Sequence, residues 1–172
     1  QWTDMYKEKT VSAAEAVKIV KDHDWVDYGM ATSQPIVLDK ALAARKDELK
    51  DIKVRMAFSL SPRHIIDEDP ERKTFTAMNW HMSGYDRKLC SQGLSNFIPM
   101  MYRNKPSIYR DILDVDVAMI TVSPMDKHGF FTFGSTNAFI FPMSTWSSKP
   151  VLSPCLSFLS KTVTTRIRRL PK

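Results

Sequence analysis

The sequence predicts an α/β fold: a mostly parallel sheet with flanking helices, followed by an irregular tail. Three observations carry that prediction. Helix-periodic and strand-like stretches alternate along residues 1–139, the pattern of layers built on parallel strands. The run "VDVAMITV" at 115–122 is apolar at nearly every position, as a strand covered on both faces must be. Beyond residue 139 the periodicity stops, and the 140–172 segment is rich in Ser, Thr and Pro and holds no acid.

The elements follow in order. In "TVSAAEAVKIVKDHD", Ser12 and Glu15 have capping-box spacing, and Ala16, Val17 and Val20 line one side of a helix. "WVDYGM" reads as a short strand. "QPIVLDKALAARKDELK" starts a second helix with Pro35 in its first turn, where a missing N–H costs nothing, and Leu38, Ala41, Leu42 and Leu49 recur at helical spacing. "IKVRMAF" alternates Ile52, Val54, Met56 and Phe58 as a strand does. "SLSPRHIIDEDPERK" reads as a loop and "TFTAMNW" as a further strand. "YDRKLCSQGLSNF" and "SIYRDIL" are short helical patterns.

Composition narrows the class. The chain has 172 residues, 43% hydrophobic and 26% charged, enough for one domain with a real core. No stretch approaches the ~20 apolar residues of a membrane span, and no basic-then-apolar leader opens the chain. Cys90 and Cys155 are too few for a disulfide scaffold and lack metal-ligand spacing, so a reduced cytoplasmic protein is expected. The net charge of +6 is unevenly placed: residues 1–126 carry 18 basic and 19 acidic side chains, and all seven remaining Lys and Arg lie in 127–172. The main body is near neutral, so neither nucleic acid nor a membrane is expected as its partner.

Parallel α/β sheets bind ligands at the carboxyl ends of their strands, and two loops fall there. One is "YGMATSQP", where Gly29, Ala31, Thr32 and Ser33 lead through Gln34 and Pro35 into a helix. Small residues let backbone approach a ligand, and the helix dipole favours an anion, although an ordinary capped turn has the same composition. The other is "SPMDKHG", in which Ser123, Pro124, Asp126, His128 and Gly129 follow the best strand. Asp126 with His128 reads as an acid/base pair or as plain turn chemistry. Ser83-Gly84 lacks the first glycine of a nucleophile elbow. His23, His64, His81 and His128 are scattered, which argues against zinc. Cys90 on a helical pattern reads as a small buried hydrophobe.

Several stretches, "YKEKTVSAAEAVKIVKDHDWVDYGMATSQPIVLDKALAARKDELKDIKV", "NWHMSGYDRKLC" and "VDVAMITVSPMDKHGFFTFG", occur in the order of one known family. They resemble the amino-terminal half of the acetyl-CoA hydrolase/transferase family, in particular its 4-hydroxybutyrate and butyrate:acetate CoA-transferases. The resemblance spans about Trp2 to Phe139. It implies two α/β domains of related fold with the active site between them. It further implies a glutamate of the carboxyl-terminal domain that attacks an acyl-CoA, passing through an acyl-glutamyl anhydride to a glutamyl-CoA thioester. The substrates would be an acyl-CoA and a short-chain carboxylate, with coenzyme A thioester as substrate and no permanently bound cofactor or metal.

By the same resemblance the 123–134 turn forms part of the amino-domain wall of the cleft, with His128-Gly129 letting backbone approach the substrates. The Gly29–Pro35 loop lies near the carboxylate pocket, its N–H groups and Gln34 suited to an acyl oxygen. Trp80, His81 and Arg87 match as well, either touching substrate or bracing the cleft. No catalytic residue is expected within this chain, because the glutamate belongs to the other domain. The departure near Phe139 or Ile140 points to a shifted reading frame or a shortened gene, with a genuine divergent carboxyl end as the alternative. Domain boundaries of 1–139 and 140–172 follow, with the missing carboxyl-terminal domain as the natural partner and a homo-oligomer left open. A CoA-thioester hydrolase of the same family and a non-catalytic binding module for an anionic metabolite or a partner protein are the alternatives.

Overall fold

The computed structural model describes residues 2–133, 149–154 and 161–164. A helix α1 (Trp2–Lys9) leads into a short strand β1 (Thr10–Ser12) and the one-turn helix α2 (Ala13–Ala16), extended by a 3-10 turn at Val17–Ile19. The Ser12 side chain accepts from the Glu15 N–H at 3.2 Å, capping an orphan donor of α2. There follow β2 (Trp25–Tyr28), α3 (Ile36–Ala43), β3 (Ile52–Met56), α4 (His64–Asp67), β4 (Phe75–Asn79), α5 (Gly84–Ser91), β5 (Asn96–Phe97), α6 (Lys105–Asp111) and β6 (Val117–Val122). Two strands, β7 (Lys149–Pro154) and β8 (Lys161–Thr164), complete the sheet.

The strand order is β1-β8-β7-β6-β2-β3-β4-β5. From β7 to β5 all neighbours are parallel, while β8 runs antiparallel to both β7 and β1. The chain steps outward from β2 through β3 and β4 to β5, then returns over α6 to place β6 on the other side of β2. Right-handed crossovers in opposite directions put their helices on opposite faces. Side chains of α3, α4 and α5 (Leu38, Leu42, Ile65, Ile66, Leu89) accordingly share one core cluster with Val26, Tyr28, Val54 and Met56. On the other face Tyr109 of α6 packs with Trp80, Val115, Ala118, Ile120 and Val122. The reversal of direction between β2 and β6 is a topological switch point, and ligands of such sheets usually bind at the carboxyl ends of the strands there.

Strand β2 shows how the two faces are wired. Tyr28 points into the helix-rich face and its hydroxyl donates to Asp39 of α3 at 3.1 Å. Asp27, one residue earlier, points to the other face. There it accepts from Arg55 Nε of β3 at 2.5 Å and from the Tyr109 hydroxyl of α6. Arg55 also donates to the Asp114 carbonyl, and its guanidinium lies 4.6 Å from the Trp25 ring centre. Burial raises the Asp27 carboxyl above its ordinary value, opposed by the Arg55 charge.

Several expectations shift. Pro35 is the N-cap of α3 rather than a first-turn residue, and the helix ends at Ala43 before the second half of its apolar pattern. The stretch read as a loop at 59–73 contains α4. Helix α5 is stopped at its start by a full capping box, Ser83 with Asp86, a signal that the weak helical period of "YDRKLCSQGLSNF" concealed. Where an irregular tail was expected, 149–154 and 161–164 pair into the sheet. The rest of the 140–172 segment, and with it the boundary at 139, lies outside the described residues.

Candidate functional site at the carboxyl edge of the sheet

Four loops leave the carboxyl ends of neighbouring parallel strands and are tied to one another by hydrogen bonds. After β2, the Gly29 N–H donates to the Met119 carbonyl of β6 at 2.9 Å, and the Ala31 N–H reaches the Ala57 carbonyl after β3 at 3.4 Å. After β3, the Phe58 N–H donates to the His81 carbonyl after β4 at 2.6 Å. The Thr121 hydroxyl of β6 donates to the Gln34 carbonyl at 2.8 Å, and Ser33 Oγ lies 3.4 Å from the Phe133 carbonyl. Gln34, nearly buried, is the hub: its Nε2 donates to the Phe58 carbonyl at 3.2 Å and its Oε1 accepts the Leu60 N–H at 3.1 Å.

Gly29 is glycine for a steric reason. A Cβ there would lie 2.2 Å from the Ser33 carbonyl oxygen, because the 3-10 turn Ala31–Ser33 folds back onto it. The turn is entered with Ala31 at φ +49°, and Phe58 on the adjacent loop also has φ +49°. Two non-glycine residues in this sparsely populated region, side by side at one edge, mark backbone held under strain by its surroundings.

The loop after β6 is closed on itself. Ser123 N–H donates to the Thr132 carbonyl, and Ser123 Oγ accepts from the Thr132 N–H, each at 2.9 Å. Inside this bracket Asp126 Oδ1 accepts the N–H groups of His128 at 2.8 Å and Phe130 at 2.9 Å. The Phe130 N–H, joined by that of His128, holds the Asp126 carboxyl below its ordinary value. Gly129 supplies φ +88° at the tip. The side chains of Asp126 and Phe130 are exposed.

The structure thus brings together Gly29, Ala31, Thr32, Gln34, Pro35, Ser123, Pro124, Asp126, His128 and Gly129 at one edge, with His81 exposed at the end of β4 and its ring 5.4 Å from that of Phe58. Trp80 turns to the opposite face, against Tyr109 at 5.8 Å between ring centres. There it lines an apolar cavity of about 230 Å³ with Trp25, Arg55, Met100 and Leu113. Arg87 Nη1 donates to the Met82 carbonyl at 3.0 Å, bracing the start of α5. Asp126 and His128 are joined through backbone N–H, the geometry of a turn. In the first loop the N–H groups of Gly29, Ala31, Ser33 and Gln34 already donate to carbonyls within the protein. That loop therefore offers a close-approach surface and the exposed Thr32 side chain, more than a row of ready donors. Phe58 escaped the sequence reading because alternation alone assigned it to a strand face; no composition signal marks a positive φ on phenylalanine. Among the described residues no group of His, Cys, Asp or Glu could hold a metal ion, and no helix is long and apolar enough to cross a membrane.

Fold and geometry define an α/β domain that presents a cross-tied, loop-built edge at a topological switch point. The chain belongs to the acetyl-CoA hydrolase/transferase family: the profile of its N-terminal domain matches residues 1–152. It is 43% identical over 139 residues to a butyryl-CoA:acetate CoA-transferase of Anaerostipes caccae, covering 80% of this chain and 31% of the relative. It is 42% identical over 133 residues to a probable butyrate:acetyl-CoA coenzyme A-transferase of Syntrophomonas wolfei, covering 77% of this chain and 30% of that one. Among solved structures, RipA from Yersinia pestis superposes with a TM-score of 0.79 at 22% identity, over 88% of this chain and 38% of RipA. A 4-hydroxybutyrate CoA-transferase from Porphyromonas gingivalis gives 0.64 at 19% identity, over 88% and 34%. These superpositions show a shared fold. The chain spans about a third of the length of the relatives it matches.

Proposed function

We propose that this chain forms the amino-terminal wall of the cleft of a CoA-transferase that moves coenzyme A between short-chain acids of the butyrate, acetate and 4-hydroxybutyrate type. One observation carries the proposal: in a member of this family, the loops after β2, β3, β4 and β6 are cross-tied into one edge at the switch point. In this reading coenzyme A thioester is substrate, and a glutamate of the carboxyl-terminal part of a full-length enzyme is the nucleophile. The chemistry then proceeds through an acyl-glutamyl anhydride and a glutamyl-CoA thioester, which splits one hard exchange into easier steps. The wall from this chain fixes substrate position, where much of the effective molarity resides. The setting is cytoplasmic, in keeping with a free Cys90 thiol.

The carboxylate nearest the candidate edge within the 123–133 loop, Asp126, is exposed and taken up by two backbone N–H groups. It anchors a turn, and the chain alone is expected to give no transfer of CoA. The test is a chimera joining residues 1–139 to the carboxyl-terminal part of the Anaerostipes caccae relative, assayed with butyryl-CoA and acetate. Acetyl-CoA formation by the chimera, with none from the present chain, supports the reading. A folded chimera without transfer would overturn it, and release of free CoA without acetate dependence would reassign the site to thioester hydrolysis. Turnover by the pure chain, abolished in Asp126→Asn, would place the nucleophile here instead.

A further inference from the structure

Behind the candidate edge, on the face that carries α3, α4 and α5, six polar atoms are buried without a hydrogen-bond partner among the described residues: Ser61 Oγ, Arg63 Nη1 and Nη2, both amide atoms of Asn79, and Asp86 Oδ1. Arg63, Asn79 and Asp86 are each 0% exposed. Their neighbourhood is continuous. Arg63 Nε donates to Ser59 Oγ at 3.4 Å, and the Ser59 N–H donates to the other Asp86 oxygen at 2.8 Å. Ser59 Oγ also lies 3.8 Å from Met56 Sδ. Asn79 is the cross-strand partner of Met56, so the two side chains leave the sheet on the same face.

A buried polar atom left dry costs about 1–3 kcal/mol, more when charged. Six together would consume most of a typical domain stability of about 5–15 kcal/mol. Something must meet them. Arg63 and the Asn79 amide nitrogen need acceptors, while Asp86 Oδ1 and the Asn79 amide oxygen need donors. An anion would satisfy the first pair and face the Asp86 carboxylate, with the Asp39 carboxyl near the Arg63 charge adding repulsion. A metal cation would satisfy the second pair and face the guanidinium. Water does both, and buried waters characteristically make two to four such bonds.

We propose that a cluster of ordered water molecules bridges Arg63, Asn79 and Asp86, an internal hydration site beneath the 57–63 loop. It bonds the inner side of the loop whose other side places Phe58, at φ +49°, and the exposed Leu60 at the candidate edge. The site would help hold that strained backbone in place without closing the apolar core around it.

A crystal structure of this chain at about 1.5 Å, with a parallel bromide soak, decides the matter. The expected result is two or more waters within about 2.7–3.2 Å of Arg63 Nη atoms, Asp86 Oδ1 and the Asn79 amide, with no anomalous peak among them. A direct Arg63–Asp86 ion pair with no water between would overturn the proposal. So would bromide at the Arg63 guanidinium, which would make this an anion site.

Discussion

The side-chain amide of Gln34 bonds the Phe58 carbonyl at 3.2 Å, and its oxygen takes the Leu60 N–H at 3.1 Å. One side chain from the loop after β2 thus spans the strained turn after β3 on both sides. Gln34→Ala is expected to destabilise the fold by about 1–3 kcal/mol, because Phe58 O and Leu60 N–H lose a partner in a part-buried setting. Amide hydrogen exchange at Leu60 should accelerate beyond the change in global stability. Unchanged Leu60 protection would show that the bracket holds nothing.

Gly29→Ala tests close packing separately from backbone freedom. The new Cβ would meet the Ser33 carbonyl at 2.2 Å, so the 3-10 turn must shift, at an expected cost of about 1–3 kcal/mol. Gly84→Ala is the control: its Cβ meets only Arg87 Nη2 at 3.9 Å at the start of α5, and a neutral change or a gain of about 0.4–1 kcal/mol is expected. Urea denaturation of both variants measures the difference. Equal midpoints would remove the steric account of Gly29.

The buried pair Asp27 and Arg55 should be far more sensitive singly than together. Arg55→Met leaves Asp27 with the Tyr109 hydroxyl and no facing guanidinium, an expected loss of about 3–5 kcal/mol. Arg55→Met combined with Asp27→Leu should recover much of that loss, since no buried charge is left behind. A double variant as unstable as the sum of the singles would argue against the pairing.

Stability is expected to rise with pH above neutrality because of Lys105. Its ammonium lies 5.2 Å from the Trp80 ring centre and 5.6 Å from that of Tyr102. Burial pushes its pKa down from 10.5 to about 7, with Asp27 acting in the opposite direction. Between those two values the unfolded chain holds a proton that the folded chain has released, so raising the pH favours folding. Burial holds the Tyr109 hydroxyl well above its ordinary value. The expected slope is of the order of 1 kcal/mol per pH unit in urea midpoints taken from pH 7.5 to 9.5. Lys105→Met should flatten it; an unchanged slope in that variant would assign the effect elsewhere.

Asp126→Ala should loosen the loop after β6 without unfolding the domain. The His128 and Phe130 N–H groups lose their acceptor at 2.8 and 2.9 Å, and exchange at these two amides should quicken. The wild-type carboxyl titrates below its ordinary value of 3.8, so the brace is complete above that pH and is lost as pH falls through the lowered value. Protection of His128 that is indifferent to the substitution would contradict this role.

Much of the architecture was written locally. The apolar run at 115–122 becomes the central strand β6, and Leu38 and Leu42 turn to the core because their spacing puts them on one helix face. The small residues from Gly29 to Pro35 and the Ser-Pro, Asp and Gly of the 123–129 turn likewise formed the loops their composition suggested. These features depend on neighbours a few residues away, which is why sequence alone determined them. Tertiary structure decided the rest. Gln34 bonds residues 24 and 26 positions further on, and Tyr109 reaches Asp27 across 82. Phe58 and Ala31 take positive φ only because adjoining loops hold them there. Trp80 and His81, neighbours in sequence just past the end of β4 at Asn79, part to a buried face and an exposed edge. Pairings across the sheet are fixed by crossover handedness and strand order, and no window of a few residues encodes those.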